Sequence, residues 1–148
     1  MEINGLPLHP LVVHAAVVAG PVAALTALAY LVPRWRERLR WPMLGLAMIA
    51  FVSIWVAYLT GDNFRDDARF EFAQGVFLER LERHEDVANV LRWVITGFAG
   101  GCALAAGLHE RTGATRLVLN TLVGAGAVAT VVFVVLTGDA GSQAVYGQ

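Results

Sequence analysis

Four apolar runs dominate the chain, at about residues 11–32, 42–60, 87–108 and 117–137. Each is close to the ~20 residues that a helix needs to cross the hydrocarbon core of a bilayer. The first, second and fourth hold no Asp, Glu, Lys or Arg, and the third holds only Arg92. Inside lipid every backbone amide must be paired within its own segment, which selects helix for runs of this length. The expected fold is all-α: an integral membrane four-helix bundle forming one domain over residues 1–148. At 57% hydrophobic residues the composition agrees.

The runs are related in pairs. Leu59-Thr60-Gly61-Asp62 recurs unchanged as Leu136-Thr137-Gly138-Asp139, each time at the close of the second run of a pair. The chain therefore reads as two hairpins, and an even number of spans in the first makes the repeat parallel rather than inverted. Gly61 and Gly138 read as helix stops, since glycine readily takes the left-handed conformation that ends a helix. Pro33 is expected to end the first span and Pro42 to open the second, and Gly20-Pro21 to kink the first. Ala16, Gly20 and Ala24 on helix one, and Gly97, Gly101 and Ala105 on helix three, are spaced four apart and mark faces of close helix approach.

Residues 62–86 are more than a loop. Phe70, Phe77, Leu81, His84, Ala88 and Leu91 fall on one helical stripe. A short amphipathic helix, interrupted near Gly75, is expected to run from about Val76 into helix three. His84 then faces inward.

Arginine sets the orientation, since lysine is absent. Arg34, Arg36, Arg38 and Arg40 crowd the first turn, and Arg111 and Arg116 flank the third. The positive-inside rule puts both turns in the cytoplasm and both termini outside, in a multi-pass protein of the cell membrane. The acidic Met1-Glu2 opening argues against a cleavable signal peptide. The single Cys102 excludes an intramolecular disulfide, a two-cysteine redox motif and covalent haem attachment. A formal net charge of −1 predicts no nucleic-acid partner.

Three histidines then gather on the outer side. A neutral imidazole ligates iron, copper or zinc through one nitrogen and donates from the other. Haem b in a helix bundle needs two such ligands on different helices. His14, about one turn into helix one, and His84, at the mouth of helix three, meet that need and are expected to face a common cavity. His9 sits at its rim. Asp62 and Asp139 are placed to orient an imidazole. Arg92 either snorkels outward or pairs with a haem propionate or Asp139. His109 lies at the opposite face and reads as a C-terminal helix cap. The stretch beginning His84-Glu85 is not a zinc-protease helix, because Ala88 stands where the second histidine must be.

The opening from Gly5 to His14, the Arg83-His84-Glu85 site and the ending Leu136-Thr137-Gly138-Asp139-Ala140-Gly141 with Val145-Tyr146-Gly147 resemble the motifs of the DUF2231 family of predicted bacterial membrane proteins. The chain departs from the pattern at Ala15-Ala16, where many relatives have Phe-Pro. The resemblance covers nearly the whole chain. It implies a four-helix membrane protein and, through a loose similarity to cytochrome b561-type bundles, haem binding. Relatives joined to Rieske iron–sulfur domains imply electron transfer.

Three functions follow as expectations. The first is a non-covalent haem b protein, with His14 and His84 as axial ligands, moving electrons near the outer face. Such a protein is an electron-transfer subunit rather than a stand-alone enzyme. The second is a copper or zinc site built on His14 and His84 with His9 and an aspartate. The third is a structural or assembly subunit with no cofactor. The expected partners are the lipid bilayer, an extracytoplasmic redox carrier such as a Rieske-type protein, and further copies of the chain.

Overall fold

The computed structural model describes the backbone at residues 2–3, 6–65 and 75–146, and side-chain surroundings at 12–61 and 75–143. Four helices carry the architecture: α1 (Leu8–Tyr30), α2 (Arg36–Arg65), α3 (Val76–Gly107) and α4 (Gly113–Tyr146). A two-residue antiparallel pairing of β1 (Glu2–Ile3) with β2 (Leu6–Pro7) precedes them. All four helices are long and apolar enough to cross a membrane, with mean hydropathies of 2.0, 2.0, 1.4 and 2.2 in their best windows. Their lengths exceed the bilayer core. At ~1.5 Å per residue, the 32 residues of α3 reach ~48 Å against a hydrocarbon thickness of ~30 Å. The polar stretch from Val76 to Asp86 thus extends past the apolar run, as does α4 beyond Thr137.

The helices run up, down, up, down. Gly20 of α1 meets Val134 of α4, while Leu31, just past the end of α1, meets Gly124, nearer the start of α4. On α3, His84 meets Gly141, Phe98 meets Gly126, and Gly101 meets Leu122. Both α1 and α3 are therefore antiparallel to α4 and parallel to each other, so the two hairpins share one orientation. Packing is closest within each hairpin, and α2 against α3 and α1 against α4 complete the ring.

The core is built from small residues. Ala23, Ala24, Ala27, Ala47, Ala50, Ala105 and Ala127 are wholly or almost wholly buried, around the larger Tyr30, Met43, Ile95 and Phe98. Without a hydrophobic driving force between helices in lipid, close backbone approach and van der Waals contact hold such an interface. An added Cβ would lie 2.9 Å from Val134 Cγ2 at Gly20, and at Gly126 it would lie 3.0 Å from the Phe98 ring and 3.2 Å from the Phe98 Cα, against the α3 backbone itself. Gly101 packs as expected, against Leu122, whereas Gly97 faces open space on the outside of α3.

Three local expectations need correction. Gly61 and Gly138 do not end helices; α2 continues to Arg65 and α4 to Tyr146. Breaking a helix at the edge of lipid strands its carbonyls, and here Thr60 and Thr137 also bond back to the carbonyls of Val56 and Phe133, one turn earlier. Among the described residues, the glycines with left-handed φ are Gly75 (65°) and Gly113 (60°), which precede α3 and begin α4. Pro42 does not open α2, which starts at Arg36 and carries Pro42 inside. The Gly75 break and the start of α3 at Val76 follow the sequence pattern. Phe70, at the head of the stripe, lies outside the described residues.

Candidate functional site

Two polar constellations stand at opposite ends of the bundle. The first centres on His84, the ninth residue of α3. Its ring is half-buried against Gly141 of α4, where a Cβ would fall 3.1 Å from Cε1 and 3.2 Å from Nδ1. Glycine at 141 is what lets the imidazole lie on the α4 backbone. His84 Nδ1 stands 3.1 Å from the Thr137 carbonyl oxygen. A carbonyl only accepts, so Nδ1 is the donor in this contact, and Nε2 is the nitrogen left to meet a further group. Two residues on, Asp139 is exposed and accepts from Gln143 Nε2 at 2.8 Å. The group that orients His84 is thus the Thr137 carbonyl.

His14 lies at the same level by register. Gly20 faces Val134, and six residues back along α1, about 9 Å, brings His14 level with about residue 140 of antiparallel α4. Its azimuth differs. At 100° per residue His14 points away from Ala16, Ala23 and Ala27, which face the core, and it is exposed. The bundle interior does not receive both imidazoles. Among the described residues no group of three or more His, Cys, Asp or Glu is placed to hold a metal ion. The side chains of His9 and Asp62 lie outside the described residues.

Arg92 sits between these ends on the α2–α3 flank. Its guanidinium carbon is 4.3 Å from the centre of the Tyr58 ring, 5.3 Å from that of Trp93 and 5.6 Å from that of Trp55. Stacking on aromatic faces holds a cation at membrane depth. Trp55 Nε1 donates to Thr96 Oγ1 at 3.0 Å, and that hydroxyl donates to the Arg92 carbonyl at 2.6 Å, so the aromatic box is locked to α3. Arg92 Nε is buried with no hydrogen-bond partner among the described residues.

The second constellation was not foreseen. His109, ~35 Å along the chain axis from His84, does not cap α3 with its side chain. Leu108 is the cap residue, through its own N–H to the Leu104 carbonyl. The His109 ring instead bridges three elements: Nε2 is 2.7 Å from Glu37 Oε2 and Nδ1 is 3.3 Å from the Tyr30 hydroxyl. Tyr30 is fully buried, lies 3.2 Å from the Ala105 carbonyl oxygen and accepts from Arg116 at 3.2 Å. Arg36 stacks over its ring, and Arg40 Nε donates to the Ala106 carbonyl at 2.9 Å. One tyrosine thereby ties the end of α1 to the start of α2, the end of α3 and the start of α4. The partners are 72 to 86 residues apart for the side-chain bonds between His109 and Glu37 and between Arg116 and Tyr30, so no local spacing announces them.

The family model for DUF2231, described as a predicted membrane protein, matches residues 5–148. The chain belongs to the DUF2231 family. It is a multi-pass membrane protein with four candidate spans. No curated protein and no solved structure matches it, so the likeness to cytochrome b561-type bundles gains no support.

Proposed function

We propose that this DUF2231 protein is an electron-transfer subunit that holds haem b through His84, at the end of the bundle where α3 and α4 extend beyond the lipid core. The supporting observation is the Nδ1 contact to the Thr137 carbonyl, which favours the tautomer whose Nε2 lone pair would bind iron. The donor chemistry of His84 would suit one protein ligand to the haem iron. The outward azimuth of His14 means that a second ligand from that residue reaches iron only on the outside of the bundle or across two copies. Haem would supply a one-electron couple; the chain's own contribution is to hold the imidazole against Gly141 and keep its proton on Nδ1.

The arginine-rich end belongs in the cytoplasm on this reading, with both termini outside and His84 facing an extracytoplasmic carrier such as a Rieske-type protein. The buried Cys102 makes a suitable silent background for testing this. A cysteine introduced at position 79 should react with an impermeant thiol reagent on intact cells, and one at position 38 should not. The reverse pattern inverts the orientation.

The deciding experiment is the reduced-minus-oxidised absorbance spectrum of protein purified from haem-replete cells. A Soret band that is lost in His84→Ala and kept in His109→Ala supports the reading. No haem absorbance in the wild type refutes it, and elemental analysis then separates a copper or zinc protein from a cofactor-free structural subunit. The closed alanine core, which keeps His14 outside, favours the structural subunit as the second reading.

A further inference from the structure

The arginine-rich end also carries an open cleft of about 550 Å³, lined by Arg40 of α2 and by Gly107, Leu108, Glu110 and Arg111 where α3 gives way to the last turn. We propose that this cleft is a binding site for the headgroup of an anionic phospholipid, with a phosphodiester held between Arg40 and Arg111.

The two guanidinium groups are positioned but unspent. Arg40 is fixed by its Nε bond to the Ala106 carbonyl and by stacking on Trp41, with its carbon 4.9 Å from the ring centre. Its two terminal nitrogens make no hydrogen bond to any described residue. The Arg111 side chain likewise makes none, although its backbone is held: its N–H bonds the Leu108 carbonyl and its own carbonyl accepts from Arg116 Nε. Glu110 lines the same cleft yet pairs with neither arginine, while Glu37 is engaged with His109. Planar guanidinium forks with free donors suit the oxygens of a phosphate group.

The local charge selects the kind of phosphate. Two arginines against one glutamate leave a single positive charge, which matches the single negative charge of a phosphodiester. Around the cleft, six arginines stand against two glutamates across the first and third turns, a field that favours lipids of net negative charge. The surface below selects a ligand with an apolar tail. Gly107 leaves a notch with nothing near its missing side chain. From Leu108 the stripe through Leu104 to Gly100 is exposed, one turn below another, on one face of α3. An acyl chain can follow that stripe while its headgroup stays at the helix ends, where exposed Trp35 and Trp41 mark the interface.

The test uses the full-length protein reconstituted in vesicles of equimolar phosphatidylglycerol, phosphatidylethanolamine and phosphatidylcholine. Native mass spectrometry then reads the lipids that remain bound after extraction. Wild type should keep phosphatidylglycerol over both zwitterionic lipids by roughly tenfold, and Arg111→Gln should cut that preference roughly fivefold. Arg111 is the variant of choice because its side chain holds nothing else, and thermal unfolding confirms that the variant is folded. Arg40→Lys keeps the charge without the fork and should lie between the two. Arg38→Gln removes a charge from the same turn but outside the cleft, and should leave the preference intact. An equal loss in Arg38→Gln shows a diffuse field and overturns the site. Preference for phosphatidylethanolamine overturns the anionic assignment, and displacement of phosphatidylglycerol by millimolar inorganic phosphate makes it a soluble-phosphate site instead.

Discussion

A methyl group at position 141 should disturb His84, while the same change at position 138 should not, and the pair measures how firmly the imidazole is held. In Gly141→Ala the new carbon would sit 3.1 Å from Cε1 and 3.2 Å from Nδ1. Ordinary carbon contacts begin near ~3.5 Å, so the ring must retreat from α4 by a few tenths of an ångström. Thr137 is one turn earlier on the same helix, and its contact to Nδ1 already stands at 3.1 Å. Retreat takes that hydrogen bond beyond its useful range, at a cost of about 1 kcal/mol. Both substitutions gain up to about 1 kcal/mol from replacing glycine inside a helix. Gly138 has nothing within 4 Å of its would-be side chain, so its gain is kept. Gly138→Ala should therefore unfold at a higher temperature than wild type, Gly141→Ala near it, and the two should differ by about 1 kcal/mol. Nitrogen NMR of labelled histidine supplies the second readout. His84 should show a protonated Nδ1 in wild type and in Gly138→Ala, and a mixture of tautomers in Gly141→Ala. Equal stability of the two variants, with unchanged histidine signals, would refute the assignment of His84 to the α4 backbone.

Three other perturbations probe the packing. Gly126→Ala pushes a carbon against the Phe98 Cα and ring and must part α3 from α4; overpacking should cost about 1–3 kcal/mol, while the exposed Gly97→Ala should be neutral or stabilising, as read by thermal unfolding in one detergent. Thr130 is fully buried and its hydroxyl has no partner among the described residues, so the near-isosteric Thr130→Val should stabilise the bundle by about 1 kcal/mol, and a loss of stability would show that the hydroxyl is used. Tyr30→Phe removes the hydroxyl shared by His109, Ala105 and Arg116 and should cost about 1–3 kcal/mol; combined with His109→Ala, the two losses should fall short of adding, as a double-mutant cycle would record.

The fold was legible because lipid removes alternatives. Four charge-poor runs near ~20 residues admit helices and little else, and the repeated Leu-Thr-Gly-Asp segment told that the halves match. Helix ends were harder to read. Glycine and proline are terminators in water, where freed carbonyls find solvent. Near lipid the helix persists through Pro42, Gly61 and Gly138, and its ends fall in the polar stretches on either side.

The sites divide along the same physical line. His84 could be placed because α3 leaves the membrane, and its polar first turns show which stripe faces inward; burial rises along that stripe from exposed Phe77 through half-buried Leu81, His84 and Ala88 to buried Leu91. α1 offers no such contrast, since its lipid-facing and core-facing sides are equally apolar. Only the small residues distinguish them: Ala16, Gly20 and Ala24 lie on the packed face, and His14 falls on the other side of the helix. That ridge was visible in the sequence, and the position of a histidine relative to it carries more information than the histidine's depth. The Tyr30 network left no comparable trace, because its members come from four different helix ends. A tyrosine at the close of a span, just ahead of a turn full of arginines, is the signal that the sequence offers for it. In a bundle whose helices are apolar all round, a polar side chain at membrane depth must find its partner on another helix. The search for function in such a chain therefore begins with the small-residue ridges, which fix the azimuth of every other side chain on the same helix.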